Sequence, residues 1–288
     1  MDVIKNSLMK TKKFAVLIIT YNEEQHIERC INSIKKISNF TLVVDSFSID
    51  KTVSLAKKCG ATVVSRKFLS HSDQINFGIG QLVDFDLVLR IDADEILVGG
   101  TLDLTSCLDT ANGFFLKRNI KFMGDVVKYG GVANKKVLRL FRPRHAHCED
   151  VLMDEHILVN GDTQNLEAEI LDDNLNNFSW WTNKHIGYSK KQVIDLLDNP
   201  KKYSAKSRLD IHRGIFIRVY GLFPHRWRAL MYFVYRMFLR GGCRDKGNAF
   251  YFHVFQAFWY RSIIECELEN RKKAGLIKDS GKVRLRYF

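Results

Sequence analysis

Short apolar, β-branched runs that end in polar residues and give way to helically spaced segments fill the first hundred positions, and this alternation restricts the fold more than any other feature. "FAVLII" (14–19) reads as a buried strand and ends in "TYNEE". Ile27, Cys30, Ile31 and Ile34 then recur at helical spacing, with Asn22 as N-cap and Glu23 and Glu24 in a first turn whose dipole favours negative charge. The pattern repeats through "TLVV" (41–44) and "DSFSIDKT", a helix over "TVSLAKK" closed by Gly60, a strand at "ATVV", a helix around "DQINFGIGQL" and the strand "DLVLRI". Strands alternating with helices at this spacing predict a mostly parallel, doubly wound α/β sheet with ligands beyond the carboxyl ends of its strands.

Polar clusters follow the strands there: "TYNEE", then Asp45 and Ser46, then Asp92, Asp94 and Glu95 in "RIDADEIL". Unpaired buried carboxylates cost on the order of several kcal/mol each, so three within four positions call for positive charge. Asp92 and Asp94, one residue apart at a strand end, can turn toward one site, and hard oxygen ligands suit Mg²⁺ or Mn²⁺. The glycines of "GIGQLV" fall inside a helical pattern rather than after a strand, which removes them as a dinucleotide fingerprint.

Past residue 100 the alternation fades, and strands at 113–119 and 136–143 predict the antiparallel half of a mixed sheet. From about residue 178 the chain turns basic and aromatic, with helices expected around 188–198, 226–240 and 248–270. The expected division is a catalytic α/β domain over 1–177 and a basic, aromatic helical region over 178–288. Residues 1–177 hold 22 Lys+Arg against 24 Asp+Glu, and 178–288 hold 23 against 8, so the net charge of +13 lies in the C-terminal part. An anionic partner is expected for that part. No apolar stretch reaches the roughly 20 residues that cross a bilayer. Six scattered cysteines, with no CxxC pair and no secretory signal ahead of them, predict reduced thiols and a cytoplasmic setting.

"VLIITYNEEQHIERCINSI", "VVDSFSIDKTVSLAKKCGATVV", "QINFGI" and "LVLRIDADEIL" occur in an order that resembles the inverting, GT-A-fold family 2 glycosyltransferases, above all the branch serving lipopolysaccharide-core and exopolysaccharide biosynthesis. The resemblance runs through residues 14–98 and more loosely through "GGVANKKVLRLFRP" and "MDEH" to "WWTNKH". It implies a GT-A-like, Rossmann-like mixed sheet flanked by helices, and a hexosyl-type transfer from a UDP- or GDP-sugar to a glycan or lipid-linked saccharide. By resemblance, Thr20, Tyr21, Asn22 and Glu23 line the nucleotide pocket, Asp45 reads the base, and Asp92 and Asp94 hold Mg²⁺ or Mn²⁺ against the donor's diphosphate.

The chemistry agrees with that implication. Departure of a nucleoside diphosphate builds negative charge that a divalent cation stabilises, and an inverting transfer needs a base for the acceptor hydroxyl. "CEDVLMDEH" (148–156) supplies Glu149, Asp150, Asp154 and Glu155, of which "MDEH" favours Asp154 or Glu155 with His156 to orient them. For Asp45 a turn-capping role competes with base reading. His185 is a ligand of the metal or diphosphate or else a structural hydrogen-bonder. Arg139 and Arg142 are phosphate forks or strand-edge charges, and Trp180 and Trp181 are core or a sugar-stacking wall.

The stretch 225–261 interleaves cations with aromatics, as at the headgroup level of a membrane, and predicts peripheral attachment to an acidic membrane surface on the inner face of the cell membrane. No nucleic-acid module is recognisable, and no nucleic-acid partner is expected. Two rivals stand beside this reading. A sugar nucleotidyltransferase would open with a Gly-rich basic loop where "TYNEE" stands, and an inactive membrane scaffold would not need the intact acids.

Overall fold

β1 (Phe14–Thr20), β2 (Phe40–Asp45), β3 (Thr62–Ser65) and β4 (Leu87–Asp92) are the apolar runs of the N-terminal half. The side chains of β1, β2 and β4 are largely buried on both faces of the sheet, while β3, at its edge, is half-buried to exposed. Val16, Ile18, Val43, Leu89 and Ile91 pack on one side with Ile27, Cys30, Ile31 and Ile34 of helix α1 (Ile27–Ile34) and with Ala56 of α2 (Thr52–Lys58). Ala15, Leu17, Leu42, Val44 and Val88 pack on the other with Ile75 and Ile79 of α3 (His71–Gln81). Strands covered on both faces read as continuous apolar runs, as these do.

The structure, a computed structural model, describes residues 13–38, 40–98, 104, 107, 110–150, 155–198 and 224–275. The chain divides into two units, Met1–Val126 with Val132–Leu175, and Val127–Gly131 with Asn176–Phe288.

In the first unit the sheet order is β3-β2-β1-β4-β8-β6-β11-β5, where β5 is Glu95–Val98, β6 Gly113–Phe122, β8 Lys135–Phe141 and β11 Thr163–Asp173. β7 (Asp125–Val127) pairs with β6. The first four strands are parallel, β8 runs antiparallel to β4 and β6, and β5 antiparallel to β11. This is the mixed α/β sheet flanked by helices that the sequence predicts. A separate hairpin joins β9 (Ala146–Cys148) to β10 (Ile157–Val159).

The structure departs from expectation at several elements: the short strands β5, β7, β9 and β10 are additions, the helix expected from about residue 188 starts at Phe178, and two further departures bear on the site. Asn22 does not cap a helix. Its backbone is left-handed, φ 55°, its N–H donates to Ser48 Oγ at 2.8 Å, and its carboxamide oxygen accepts from Ile49 N–H at 2.9 Å. These bonds spend the cap on the loop after β2, and α1 begins at Ile27. Unexpected, too, is β11, although Leu166, Ala168 and Ile170 alternate with polar neighbours as a half-buried strand requires.

The second unit holds α4 (Phe178–Asp198), α5 (His225–Val234) continued by a π-helical turn over Tyr235–Leu239, α6 (Asn248–His253), a second π-helical turn over Val254–Trp259, and α7 (Tyr260–Lys273). Val193, Tyr260, Ile264 and Leu268 form its apolar centre. Asp245 explains why Val127–Gly131 belongs here: its carboxylate accepts from Lys128 and Tyr129 N–H, both at 3.1 Å, and from His253 Nε2–H at 2.8 Å. Gly130, φ 72°, passes so near that a β-carbon would lie 2.3 Å from His253 Cε1.

Candidate active site at the carboxyl edge of the sheet

Strand register sets the site. Thr20 pairs with Asp45 across β1 and β2, and Ile19 with Asp92 across β1 and β4, so the polar clusters leave the sheet at one level of one edge. The loops after β1 and β2 are stitched together. Besides the Asn22 bonds, Glu23 N–H donates to Thr52 Oγ1 at 2.7 Å, and Lys51 N–H to the Glu24 carboxylate at 3.0 Å. Asp45 is buried, and its carboxylate accepts from both Ser48 N–H (2.9 Å) and Ser48 Oγ–H (2.5 Å), the turn-capping geometry. Glu23 accepts from His26 Nδ1–H at 2.6 Å, while His26 Nε2 accepts from Leu175 N–H at 2.8 Å. Tyr21 and Phe47 are left exposed at this edge, 56% and 59%, and Phe47 adopts φ 63°, a strained value for a bulky side chain. The buried Thr20 hydroxyl has no partner among the described residues.

The three acids of the Asp92–Glu95 turn do not share one counter-charge. Asp92 lies between two guanidinium groups, Arg90 Nη2 at 2.6 Å from one oxygen and Arg139 Nη2 at 2.9 Å from the other. Burial alone would raise its pKa; Arg139 and Arg90 overcome that and hold it well below the usual carboxylate range. Glu95 is fully buried, paired with Arg139 at 2.6 Å and Arg118 at 2.9 Å, and accepts the Asp92 N–H at 3.0 Å. Arg118 also binds Asp172, whose carboxyl burial pushes up to about 7, with Asp94, Glu95 and Asp92 adding to the rise against Arg118. Asp94 differs from all of these. One oxygen accepts from Asn174 Nδ2–H at 3.0 Å, and among the described residues it makes no ion pair.

The acidic segment around 149–156 separates in space. α3 grips the β9–β10 hairpin through Asn76, whose carboxamide donates to Cys148 O at 2.9 Å and accepts from Cys148 N–H at 2.7 Å. Asp150 accepts from Ser72 Oγ–H at 3.0 Å, and Glu149 pairs with His156 at 2.7 Å. Glu155 lies 3.9 Å from Arg90 Nη2, the same nitrogen that holds Asp92. Asp154 lies outside the described residues.

Arg139, read as a phosphate fork or an edge charge, is not an edge charge. It is buried in β8, a central strand, with Nε and Nη1 unpartnered among the described residues. Arg142 Nε–H donates to Ala111 O at 3.3 Å. In the second unit Trp181 is buried against Phe178, Phe255 and Trp259, while Lys184 lies 4.4 Å over the Trp180 ring. His185 stacks on Trp181 at 3.6 Å between centroids, donates from Nδ1 to the Trp181 carbonyl at 2.9 Å, and is pushed down to about 4, chiefly by burial.

Sequence reasoning did not find Arg118, Asp172 or Asn174. Asp172 lies at the end of β11 and Asn174 directly after it, in a segment whose alternation the sequence carries. Asn76 stands inside the quoted "QINFGI", a signal available but unused. A carboxylate without a cationic partner can take a divalent ion; Asp94 fits that role, and Asp92 does so only if a guanidinium yields one of its oxygens. No group of three or more metal-ligating side chains exists among the described residues.

Comparison with known proteins supplies the class of protein: the model described as glycosyl transferase family 2 matches residues 15–103, from β1 past the Asp92–Glu95 turn. An uncharacterised glycosyltransferase of Rickettsia typhi is 31% identical over 211 residues, 67% of this chain and 71% of the relative. Among solved structures, glucosyl-3-phosphoglycerate synthase from Mycobacterium tuberculosis in complex with Mn²⁺, UDP and glucosyl-3-phosphoglycerate is 21% identical, with a TM-score of 0.32 over 41% of this chain and 47% of that one. TarS of S. aureus is 15% identical, with a TM-score of 0.41 over 88% of this chain and 55% of its own. The chain thus spans about half the length of those two structures. It belongs to glycosyltransferase family 2.

Proposed function

We propose that this chain transfers a hexosyl group, with inversion, from a UDP- or GDP-sugar to a glycan or lipid-linked saccharide acceptor of lipopolysaccharide or exopolysaccharide assembly. The setting is the cytoplasmic face of the cell membrane, with an acidic lipid surface as partner of the C-terminal unit. The observation that carries the reading is the placement of Glu155 one guanidinium away from Asp92, on the sheet edge where Thr20, Asn22 and Asp45 also emerge. Tyr21 offers an exposed ring to a base, and the loops holding Asn22, Glu23 and Asp45 shape the pocket rather than donate free carboxylates.

Asp94, with Asp92 behind it, would hold Mg²⁺ or Mn²⁺; when bound, the ion supplies positive charge to the departing nucleoside diphosphate. Arg90 and Arg139 keep Asp92 ionised, and the unpartnered donors of Arg139 add positive potential at this edge. Glu155 takes the proton of the acceptor hydroxyl as that oxygen attacks the anomeric carbon from the face opposite the leaving group. Asp154 is the neighbouring alternative for this step.

Release of free nucleoside diphosphate from a panel of UDP- and GDP-sugars, with Mn²⁺ present, tests the reading. Turnover of one donor is expected, with Glu155→Gln slower by about 10²–10⁴-fold and Asp94→Ala losing the metal-dependent thermal shift. Nucleotide-sugar binding without turnover would identify an inactive scaffold, and undiminished turnover in Glu155→Gln would move the base to Asp154.

A further inference from the structure

α5 and its π-helical continuation are built with their polarity reversed. On a surface helix the charged residues face water. Here Arg228 and Arg236 are buried, 7% and 1% exposed, and Arg236 donates to His253 Nδ1 at 3.0 Å. The solvent face instead carries Trp227, Leu230, Val234 and Phe238, spaced three to four residues apart and 38–68% exposed, followed by Leu239 at 77%. Phe258, itself exposed, extends the patch onto the neighbouring helical segment through its ring contact with Phe233 at 5.8 Å. A contiguous apolar face of this kind marks a docking surface.

The charge around the patch selects its occupant. Exposed Arg226 stands at one end of the helix, and Arg240, Arg244 and Lys246 follow its other end. From residue 224 to 264 the only acid in the sequence is Asp245, buried and committed to His253 and the Val127–Gly131 backbone. A second copy of this chain would bring the same cations to the contact. The chain's own segments 199–223 and 276–288 carry six basic residues against one acid and four against one, so they too would set cation against cation. No helix among the described residues is long and apolar enough to cross a membrane.

We propose that this face lies in the interface of an anionic lipid bilayer, with Trp227, Leu230, Val234 and Phe238 at the acyl boundary and Arg226, Arg240, Arg244 and Lys246 at lipid phosphates. The inference deepens the membrane setting proposed above and rests on it for its purpose, since a lipid-linked acceptor stays in the bilayer. Binding is read without any donor, so the two readings fail separately.

The test is co-sedimentation of the full chain with phosphatidylcholine vesicles, with and without phosphatidylglycerol. Salt-sensitive binding to the anionic vesicles is expected. Trp227→Ser with Phe238→Ser should weaken it at least about tenfold, and so should Arg226→Glu with Lys246→Glu, each in protein whose circular dichroism matches the parent. Equal binding to neutral vesicles, no binding at all, or unchanged binding in either folded variant overturns the proposal. A dimer that dissociates in the Trp227/Phe238 variant also overturns it, by assigning the face to a second copy. Vesicle binding in a protein that hydrolyses no donor would leave this inference standing while the transferase reading fell.

Discussion

Asp94 and Glu95 adjoin in the chain and are held by different physics. Glu95 is fully buried and neutralises Arg118 and Arg139, so Glu95→Ala leaves buried Arg139 with Asp92 alone and half-buried Arg118 with Asp172 alone, and should cost about 3 kcal/mol. Asp94→Ala forfeits a hydrogen bond to Asn174 and should cost only about 0.5–1.5 kcal/mol. Urea midpoints of the two variants separate structural from functional acid; equal losses would show that Asp94 also serves the fold. The sequence made the demand for positive charge visible, because four apolar residues lead into three acids. Only part of its source was visible: Arg90, two positions before Asp92, pairs with it at 2.6 Å, whereas Arg118 and Arg139 lie 23 and 44 positions beyond Glu95 and meet it only through strand pairing.

At the scale of elements, α3 shows how packing reads a residue that local pattern misjudges. Glycine within a helix lowers its propensity, yet Gly78 lies against β1 so closely that a β-carbon would stand 2.4 Å from Leu17 Cδ1. Gly78→Ala should therefore destabilise by about 1–3 kcal/mol through overpacking, outweighing a propensity gain of up to about 1 kcal/mol. The thermal midpoint checks the sign, and a stabilised variant would mean that Leu17 moves freely. The same helix, through Asn76, grips the hairpin that presents Glu155. β1, β2 and β4 were legible because their runs are apolar on both faces, and β3 by its paired valines. β5, β9 and β10, three or four residues long, carry too few side chains to show a period.

At the scale of the whole molecule the acids of the sheet edge and the cations of the C-terminal unit divide the charge, and acid stability should follow the buried histidines. His185 titrates near 6.5 when unfolded and near 4 in the fold, where burial disfavours its charged form; His253 is lowered for the same leading reason. At these two sites the unfolded chain therefore binds more protons between those values, and their contribution to stability is lost as pH falls from about 6.5 toward 4, offset in part by Asp172, which the fold protonates below about 7. His185→Phe keeps the ring and removes the titration, so its midpoint should decline less over that interval; an unchanged decline would place the acid sensitivity elsewhere.

The sequence by itself determined the strand–helix alternation, the sheet edge where the polar clusters gather, the segment supplying the carboxylate candidates and the uneven spread of charge, because each is written in neighbouring side chains. Only the tertiary structure decided which acid makes no ion pair among the described residues, which of the described 149–156 acids lies beside Arg90, and which side of α5 carries Arg228 and Arg236. Those outcomes depend on groups far apart in the chain that strand register and helix packing bring within a few ångströms, and on burial, which makes each unpaired charge costly.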